Sequence, residues 1–181
     1  MKNNKRVIAS IEARMGSSRL PGKVLKEIQG QPILKLLVNR LKKCNLLDDI
    51  IVATSISKAD DILHRWCMEE NIKCFRGSEE DVLDRVVKAH EYMETDIIVE
   101  ITGDCPITDP QIIDLGVETF LCHAVDVVTN CGSFKTWPMG QYVQVFPYKL
   151  LKDINDRIND YAVHEHVSLY FYEHPEIYRT F

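Results

Sequence analysis

The residues Val7-Ile-Ala-Ser-Ile-Glu-Ala-Arg-Met-Gly-Ser-Ser-Arg-Leu-Pro-Gly-Lys23 join an apolar run to a loop rich in glycine and positive charge. The apolar run predicts a buried first strand. In open α/β sheets, ligands bind at the carboxyl ends of the strands, which is where this loop begins. Glycines let backbone N–H groups approach an anion, and the side chains of Arg14, Arg19 and Lys23 can neutralise a triphosphate. The stretch therefore predicts a sheet whose first loop holds the phosphates of a nucleotide.

The composition is that of an ordinary soluble globular protein. With 181 residues, 45% hydrophobic and 27% charged, we expect a single domain over residues 1–181. A net charge of −5 provides no basic field for nucleic acid or an anionic membrane. No apolar run approaches the roughly 18 residues that span a bilayer, and no signal-peptide pattern precedes the first strand, so we expect a cytoplasmic protein. The six cysteines include no Cys-x-x-Cys pair, which favours free thiols.

Strand-like and helix-like patterns alternate along the first 129 residues, and this alternation implies a parallel sheet covered by helices on both faces. We therefore expect an α/β protein with a three-layer α/β/α, Rossmann-like fold and a mostly parallel sheet. After residue 130 the pattern changes: residues 132–140 are rich in turn formers, residues 142–146 predict an edge strand, and residues 148–154 and 159–172 predict helices. The earlier strands are predicted at residues 6–11, 49–54, 72–75, 96–101 and 125–129, and the earlier helices at 32–43, 58–71, 79–94 and 109–123.

The loop after the first strand matches neither of two well-known phosphate-binding motifs. A Walker A loop needs Gly, four residues, then Gly-Lys-Ser/Thr, whereas here five residues separate Gly16 from Gly22, and Val24 follows Lys23. A Gly-x-Gly-x-x-Gly dinucleotide fingerprint is also missing. Three cations on one loop repel each other unless an anion lies between them, which favours a ligand. The alternative is a solvated basic turn that caps a helix.

Two further segments are expected on the same rim of the sheet. In Ile101-Thr-Gly-Asp-Cys-Pro106, Asp104 is a candidate Mg²⁺ ligand, because an acid among phosphate-binding cations is costly unless it recruits a metal ion. Gly103 suits the close approach of a nucleoside. The backbone of Arg76-Gly-Ser78 could bind the edge of a base, supported by Asp81 and Arg85. The alternatives are a turn aspartate and an ordinary turn before a helix capped by Ser78 and Asp81.

Three segments carry a family resemblance: Ala13-Arg-Met-Gly-Ser-Ser-Arg-Leu-Pro-Gly-Lys23, Phe75-Arg-Gly-Ser-Glu-Glu-Asp-Val-Leu-Asp-Arg85 and Ile101-Thr-Gly-Asp-Cys-Pro106. In this order they resemble the cytidylyltransferases, a family that includes CMP-Kdo synthetases and acylneuraminate cytidylyltransferases. Within it, the motif sequences are most similar to those of the SpsF-like proteins of spore-coat polysaccharide biosynthesis. The likeness continues to Glu165-His-Val-Ser-Leu-Tyr-Phe-Tyr-Glu-His-Pro175. It implies the nucleotidyltransferase version of the fold, as in nucleotide-diphospho-sugar transferases. It also implies an enzyme that transfers CMP from CTP to a sugar, with a 2-keto sugar acid as the expected acceptor, and releases pyrophosphate.

By position, the resemblance assigns roles to individual residues. Arg14, Arg19 and Lys23 would contact the triphosphate and stabilise the leaving pyrophosphate, and Asp104 would bind Mg²⁺; these four are the implied catalytic residues. A homodimer is also implied. Further nucleotide contacts are implied for Ala13, Gly16, Arg76, Gly77, Ser78, Thr102 and Gly103, and sugar contacts for Tyr142, Gln144 and His166.

Two departures from the family pattern concern the acceptor and the metal. SpsF-like relatives commonly carry Gly-Leu-Asp-x-Glu-Val-Phe on the sugar side, where this chain has Gly140-Gln-Tyr-Val-Gln-Val-Phe146. Tyr142 and Gln144 thus replace two acids, which implies that the chain binds a different acceptor or none. The family usually supplies another metal-binding aspartate in a late Asp-Thr-x-Asp/Glu-Asp-like stretch, which is missing up to Phe181. Either the sequence is truncated at its C-terminus or the two-carboxylate site is incomplete.

Other polar and aromatic clusters have simpler interpretations. His164-Glu-His166 suggests a metal site, but residues two apart on a helix point to opposite sides, so a structural or sugar-facing role is expected. Trp137 and Tyr170-Phe-Tyr172 are expected in the core or in a dimer interface. Two other functions remain open: a nucleotide or nucleotide-sugar binding protein that has lost transfer, and a nucleotidyltransferase for another base or sugar.

Overall fold

Residues 4–17, 19–131 and 137–181 are described by the structure, a computed structural model. Its strands form one six-stranded sheet and a small hairpin. In chain order the strands are β1 (Val7–Glu12), β2 (Glu27–Ile28), β3 (Gln31–Pro32), β4 (Asp49–Ser55), β5 (Lys73–Gly77), β6 (Ile97–Thr102), β7 (Val128–Thr129) and β8 (Gln144–Pro147). The large sheet has the order β5-β4-β1-β6-β8-β7. Its first four strands pair in parallel, whereas β8 is antiparallel to both of its neighbours.

Helices cover both faces of the sheet. They are α1 (Ile33–Leu41), α2 (Asp61–Glu69), α3 (Val82–Tyr92), α4 (Pro110–Cys122), α5 (Tyr148–Arg157), α6 (Tyr161–Glu165) and α7 (Leu169–Glu173). Side chains of α1, α2 and α4 pack on one face, and those of α3, α5, α6 and α7 pack on the other. The predicted three-layer α/β/α arrangement with a mostly parallel sheet is therefore confirmed. Among the helices of the described residues, none is long and apolar enough to cross a membrane.

The central position of β1 explains its apolar sequence. Val7, Ala9 and Ile11 point toward α1, whereas Ile8 points toward α3, and all four side chains are fully buried. A strand that is covered on both faces needs apolar residues at consecutive positions rather than at alternate ones.

The α3 face of the sheet becomes polar toward the carboxyl ends of the parallel strands. Ile8, Ile98 and Phe146 are fully buried on this face. Side chains two positions apart in a strand lie on the same face. The strand pairing therefore shows which residues follow these three on the same face. These are the polar residues Ser10 and Glu12 of β1, Glu100 and Thr102 of β6, and Gln144 of β8. A cleft opens at this polar end.

The structure corrects two predicted elements. Residues 142–146 are expected to form an edge strand. The strand found there, β8, instead lies between β6 and β7, because it pairs with β6 on one side and the short β7 pairs with its other side. The helix predicted over residues 159–172 is two helices, since His166 has an extended backbone after α6. Ser18 and residues 132–136, the latter within the predicted turn-rich stretch, lie outside the described residues. All six cysteines are free thiols, as expected.

Candidate functional site

The loop after β1 is closed by its own backbone. The carbonyl oxygen of Met15 accepts hydrogen bonds from the N–H groups of Ser17 (3.0 Å) and Gly22 (2.9 Å). Gly22 has a φ of 69°, in the left-handed region that glycine adopts without strain, and it leads into a single 3-10 turn that begins at Lys23. The loop thus presents its cations from a fixed backbone.

A buried carboxylate anchors this loop to the neighbouring strand. Asp60 is 1% exposed, and its Oδ1 accepts a 2.6 Å hydrogen bond from the N–H of Met15. Its Oδ2 accepts a hydrogen bond from the hydroxyl of Ser55, at the end of β4. Sequence reasoning missed Asp60, because an acid at the start of a helix is common and nothing local ties it to a loop 45 residues away.

The loop, α3 and the segment after β6 enclose a cavity of about 370 Å³, here called the basic cavity. Four cationic side chains line it, and Arg85 is the one that lies on a helix rather than on the loop. The cations are Arg14, Arg19, Lys23 and Arg85, and the other lining residues include Ala13, Gly16, Thr102, Gly103 and Asp104. The structure thus brings together most of the residues predicted to bind the nucleotide.

Asp104 and Lys23 are in direct contact at the wall of the basic cavity. The Lys23 Nζ lies 2.5 Å from Oδ2 of Asp104. Partial burial raises the pKa of the Asp104 carboxyl, but the hydrogen bond and charge of Lys23 outweigh it, so that this pKa lies below its usual range. Asp104 therefore stays ionised at neutral pH and offers the hard oxygen that Mg²⁺ prefers.

Gly103 is explained by the packing of the two loops. Its N–H donates to the carbonyl oxygen of Glu12 at 3.0 Å. A Cβ at this position would lie 2.8 Å from that oxygen and 3.1 Å from the Cβ of Ala13. The glycine thus allows the ends of β1 and β6 to touch, and a nucleoside contact at Gly103 stays a prediction.

The segment Arg76–Ser78 does not line the basic cavity. The Arg76 guanidinium donates to the carbonyl oxygens of Ser55 and Ser57, both at 2.9 Å, and pairs with Asp61 at 2.7 Å. It therefore joins the ends of β4 and β5, and contacts of Arg76, Gly77 and Ser78 with a nucleotide stay predictions.

Arg85 supports the Arg76–Ser78 segment from α3, as expected. Its guanidinium donates to the carbonyl oxygen of Ser78, and a Cβ on Gly77 would lie 2.9 Å from its Cγ. The cap of α3 differs from the expected pair: the Asp81 carboxylate accepts from the N–H of Asp84 at 2.8 Å, and the Ser78 hydroxyl accepts from the N–H of Asp81. Asp81 rather than Ser78 caps the helix, because a carboxylate is a stronger acceptor than a hydroxyl for an N–H group at a helix N-terminus.

A second cavity of about 330 Å³, here called the acidic cavity, adjoins the basic one. The two share five lining residues and form one cleft. The shared residues are Glu12, Val82, Thr102, Glu165 and His166; Glu100, Cys131, Gln144, Val167, Ser168, Leu169 and Tyr172 line the acidic cavity alone.

Two of the three predicted sugar contacts lie at the acidic cavity. Gln144 and His166 line it, whereas Tyr142 is not among its lining residues. The Gln144 Oε1 accepts hydrogen bonds from the Ser168 hydroxyl at 2.8 Å and from the Tyr172 hydroxyl. Tyr172 thus points into the cleft, although its aromatic neighbour Phe171 is a core residue, as expected.

Two carboxyl groups, which the sequence reasoning missed, form the floor of the acidic cavity. Glu100 is buried, and Glu12 is partly buried with its Oε2 shielded from solvent. Glu12 and Glu100 lie on the same face of the adjacent strands β1 and β6, where Ser10 pairs with Glu100 and Glu12 pairs with Thr102. Burial raises the pKa of Glu100 to about 7. Burial and then the nearby Glu100 raise the pKa of Glu12 well above its usual value. The sequence signal was one acid in each of two strongly apolar strands, which does not show what the acid faces.

His164 and His166 have separate surroundings, as predicted, although His166 follows α6 with an extended backbone and is not part of that helix. The His164 ring bridges Asp81 (2.8 Å) and the carbonyl oxygen of Ile158 (2.7 Å), so it fastens α6 to α3, while His166 is exposed at the cleft. In the part of the chain that the structure describes, no group of three His, Cys, Asp or Glu side chains is arranged to hold a metal ion.

The fold and the cleft define a nucleotidyltransferase: a mostly parallel sheet, a basic loop after the first strand, and an ionised aspartate opposite it. Comparison with known proteins identifies the family. The sequence profile described as cytidylyltransferase matches residues 8–181, and the chain belongs to this family.

Individual relatives agree with this assignment. Spore coat polysaccharide biosynthesis protein SpsF of Bacillus subtilis is 37% identical over 180 residues, which cover 96% of this chain and 73% of that protein. An uncharacterised protein of Methanocaldococcus jannaschii is 40% identical, over 97% of this chain and 71% of its own length.

Solved structures show the same fold. A cytidylyltransferase from Leptospira borgpetersenii has a TM-score of 0.92 and 32% identity, over 98% of this chain and 75% of that one. A CMP:2-keto-3-deoxy-manno-octonic acid synthetase in complex with CTP has a TM-score of 0.75 and 19% identity, over 98% and 89% of the two chains, and shows the fold alone.

Proposed function

We propose that this cytidylyltransferase transfers CMP from CTP to a hydroxyl group of a sugar, specifically a 2-keto sugar acid, in the biosynthesis of a surface or spore-coat polysaccharide. One observation carries the proposal: Arg14, Arg19 and Lys23 lie in one cavity with the ionised Asp104. The cations fit a triphosphate and the carboxylate fits its metal ion. The names of the relatives, which include a spore-coat polysaccharide protein and several 3-deoxy-manno-octulosonate cytidylyltransferases, support the choice of base and acceptor.

The reaction needs positioning and charge neutralisation more than covalent chemistry by the protein. The acceptor oxygen forms a bond to the α-phosphorus, and the bond from that phosphorus to the bridging oxygen of the β-phosphate breaks. Pyrophosphate leaves with the electron pair, and the proton of the acceptor hydroxyl passes to water. Arg14, Arg19 and Lys23 stabilise the negative charge that develops on the leaving group. Their fixed loop holds the triphosphate in line with the acceptor.

Mg²⁺ is the proposed metal cofactor, and the residues present fit it. Asp104 provides a carboxylate oxygen whose pKa is held below its usual range, and phosphate oxygens complete the coordination that Mg²⁺ ordinarily has with nucleotides. When bound, the ion would neutralise phosphate charge. Lys23 pairs with Asp104, and its ammonium group would be available to phosphate when Asp104 holds the metal ion.

The acidic cavity is the proposed acceptor side, with Gln144 and His166 among its walls. Tyr142, which precedes Gln144 by two residues, is proposed as a contact at the far end of the acceptor. Ala13 and Gly16 are proposed to contact the nucleotide through their backbone, together with Thr102 and Gly103. We also propose a homodimer.

The test is a pyrophosphate-release assay with CTP, Mg²⁺ and a panel of 2-keto sugar acids, including 3-deoxy-manno-octulosonate. We expect release that depends on CTP, Mg²⁺ and one of the acids, with ATP, GTP and UTP as matched nucleotide controls. Titration calorimetry of each nucleotide separates the alternatives. CTP binding without release for any acceptor would indicate a binding protein, and a preference for UTP or ATP would remove the cytidylyl assignment.

A further inference from the structure

The two halves of the cleft differ in their cations. The basic cavity has four cationic side chains beside Glu12, Asp104 and Glu165. The acidic cavity shares Glu12 and Glu165, adds Glu100 and, among its lining residues in the described parts of the chain, has no lysine or arginine. His166 stands at the boundary. Two ligands of different charge therefore fit the two halves.

Glu12 and Glu100, on the floor of the acidic cavity, each have one carboxyl oxygen without a hydrogen-bond partner among the described residues. Glu100 is 7% exposed. Its Oε2 and the Oε2 of Glu12 are both shielded from solvent and have no hydrogen-bond partner among the described residues. The other Glu12 oxygen accepts from the Ser10 hydroxyl at 3.0 Å. Buried polar atoms in native proteins are nearly always satisfied, so orphan acceptors that line a cavity indicate a ligand that donates hydrogen bonds.

We propose that Glu12 and Glu100 are specificity-determining residues that select an acceptor sugar presenting amino or hydroxyl donors to the acidic cavity, against one that places a carboxylate there. This inference rests on the proposed function, and it names the acceptor chemistry that the site favours. For a sugar acid, the carboxylate must then point toward Arg85 and His166, while the donor-bearing remainder of the ring lies over the two glutamates.

The charges around the pair support this selection. The titratable groups that face it are Arg85 of α3, Glu165 and His166 at the end of α6, Tyr172 of α7, and Cys131. Since two nearby buried carboxyl groups do not both ionise readily, the pair keeps a proton near neutral pH. It loses that proton more easily when an ammonium group is bound, because an opposite charge favours the ionised form. A carboxylate ligand would meet like charge instead, which is a common source of discrimination.

The test uses three hexoses of one frame as probes: D-glucosamine, D-glucose and D-glucuronate. Each is titrated by saturation-transfer NMR into the full chain at pH 6.5, with and without a non-hydrolysable CTP analogue and Mg²⁺. We expect glucosamine to bind roughly tenfold more tightly than glucuronate, the effect of about one pKa unit of charge interaction. Glu100→Gln and Glu12→Gln should each reduce this preference by at least about threefold.

Glu118→Gln, the same substitution at an exposed position of α4, is the matched control and should keep the wild-type preference. Glucuronate binding that equals or exceeds glucosamine binding, or a preference that both cleft variants retain, overturns the inference. Calorimetry of the CTP analogue on the same samples tests the proposed function separately. An analogue that binds while the sugar preference fails rejects this inference alone, and an analogue that fails to bind rejects the proposed function.

Discussion

Lys23 and Asp104 are 81 residues apart in sequence, and their side chains lie in direct contact, with 2.5 Å between Nζ and Oδ2. The contact joins the loop after β1 to the loop after β6, the two adjacent central strands. It places a cation and an anion where triphosphate and metal ion are proposed to bind. Both side chains remain partly exposed, at 28% and 43%, so a ligand can replace the pair without unfolding either loop.

Removing either side chain is expected to impair catalysis much more than folding. Lys23→Ala and Asp104→Asn should each lower turnover by at least ~10²-fold, because each removes an electrostatic contact that the transition state needs. Steady-state kinetics of pyrophosphate release measures the effect. The matched controls are Lys26→Ala and Asp156→Asn, which alter exposed residues outside the cleft. A near-normal turnover in either cleft variant would remove its assigned role.

Two glycines of the cleft should respond differently to alanine. A Cβ on Gly16 meets no atom of the described residues within 4 Å, so Gly16→Ala should leave the melting temperature unchanged. Because phosphates are proposed to approach the backbone there, the methyl group should weaken CTP binding. A penalty of about 1.4 kcal/mol would raise the Kd for CTP tenfold.

Gly103→Ala is the contrasting variant, because its Cβ would lie 2.8 Å from the carbonyl oxygen of Glu12. We expect a loss of about 1–3 kcal/mol of stability from this overpacking. Thermal melts and calorimetry measure the two properties. The distinction fails if Gly16→Ala binds CTP as tightly as the wild type.

Asp60→Asn should loosen the nucleotide loop. The two carboxylate oxygens of Asp60 accept from the Met15 N–H and the Ser55 hydroxyl, and an amide can replace only one of these acceptors. We expect a loss of roughly 1.5–3 kcal/mol of unfolding free energy, the range for a hydrogen bond to a charged group, together with weaker CTP binding. Urea denaturation and calorimetry measure both effects. An unchanged CTP affinity in a destabilised variant would show that the anchor serves folding alone.

The stability of Glu100→Gln should depend on pH in a defined direction. Burial raises the pKa of Glu100 from 4.5 to about 7 in the folded protein. The favourable contribution of the protonated group is therefore complete below about pH 4.5 and is lost as the pH rises toward 7. Relative to wild type, the variant should gain stability across this window, up to about 3 kcal/mol, since one pKa unit corresponds to about 1.4 kcal/mol.

Urea denaturation of both proteins between pH 4.5 and 8 measures this difference. Comparing the two proteins cancels titrating groups that Glu100 does not affect, such as the buried His90, whose pKa burial lowers to about 3. Glu12 does not cancel, because the charge of Glu100 contributes to its raised pKa. Glu118→Gln, the same substitution at an exposed position of α4, provides the matched control. A Glu100→Gln difference that stays constant with pH contradicts the burial argument.

Much of the fold could be predicted from hydrophobic periodicity. The parallel strands and their helices follow from long apolar runs, and β1 is central because both of its faces are apolar. The pairing of β8 between β6 and β7 could not be predicted. Once the regular alternation of strands and helices stops, the strand order depends on which hydrogen-bonding groups remain free at the sheet edge. The end of α6 at Glu165 could not be predicted either, because no glycine or proline stands near His166 in the sequence.

The cleft was predictable where chemistry is concentrated in short segments. Arg14, Arg19, Lys23 and Asp104 lie in motifs, and the carboxyl ends of parallel strands bring those motifs together. Glu100 was not predicted, because a single acid within an apolar strand gives no local signal of what it faces. Only the strand register and the α6–α7 break show that it borders a cavity.

Glu12 combines two separate tasks in one residue. Its carbonyl oxygen accepts a hydrogen bond from the N–H of Gly103 and so fixes the spacing of the two loops of the basic cavity, while the residue lines both the acidic and the basic cavity. The first task uses only main-chain atoms and is open to any residue that keeps the strand. A substitution at this position can therefore change the proposed acceptor contact while the main-chain hydrogen bond keeps the spacing of the two loops, and natural divergence within such a scaffold has the same freedom.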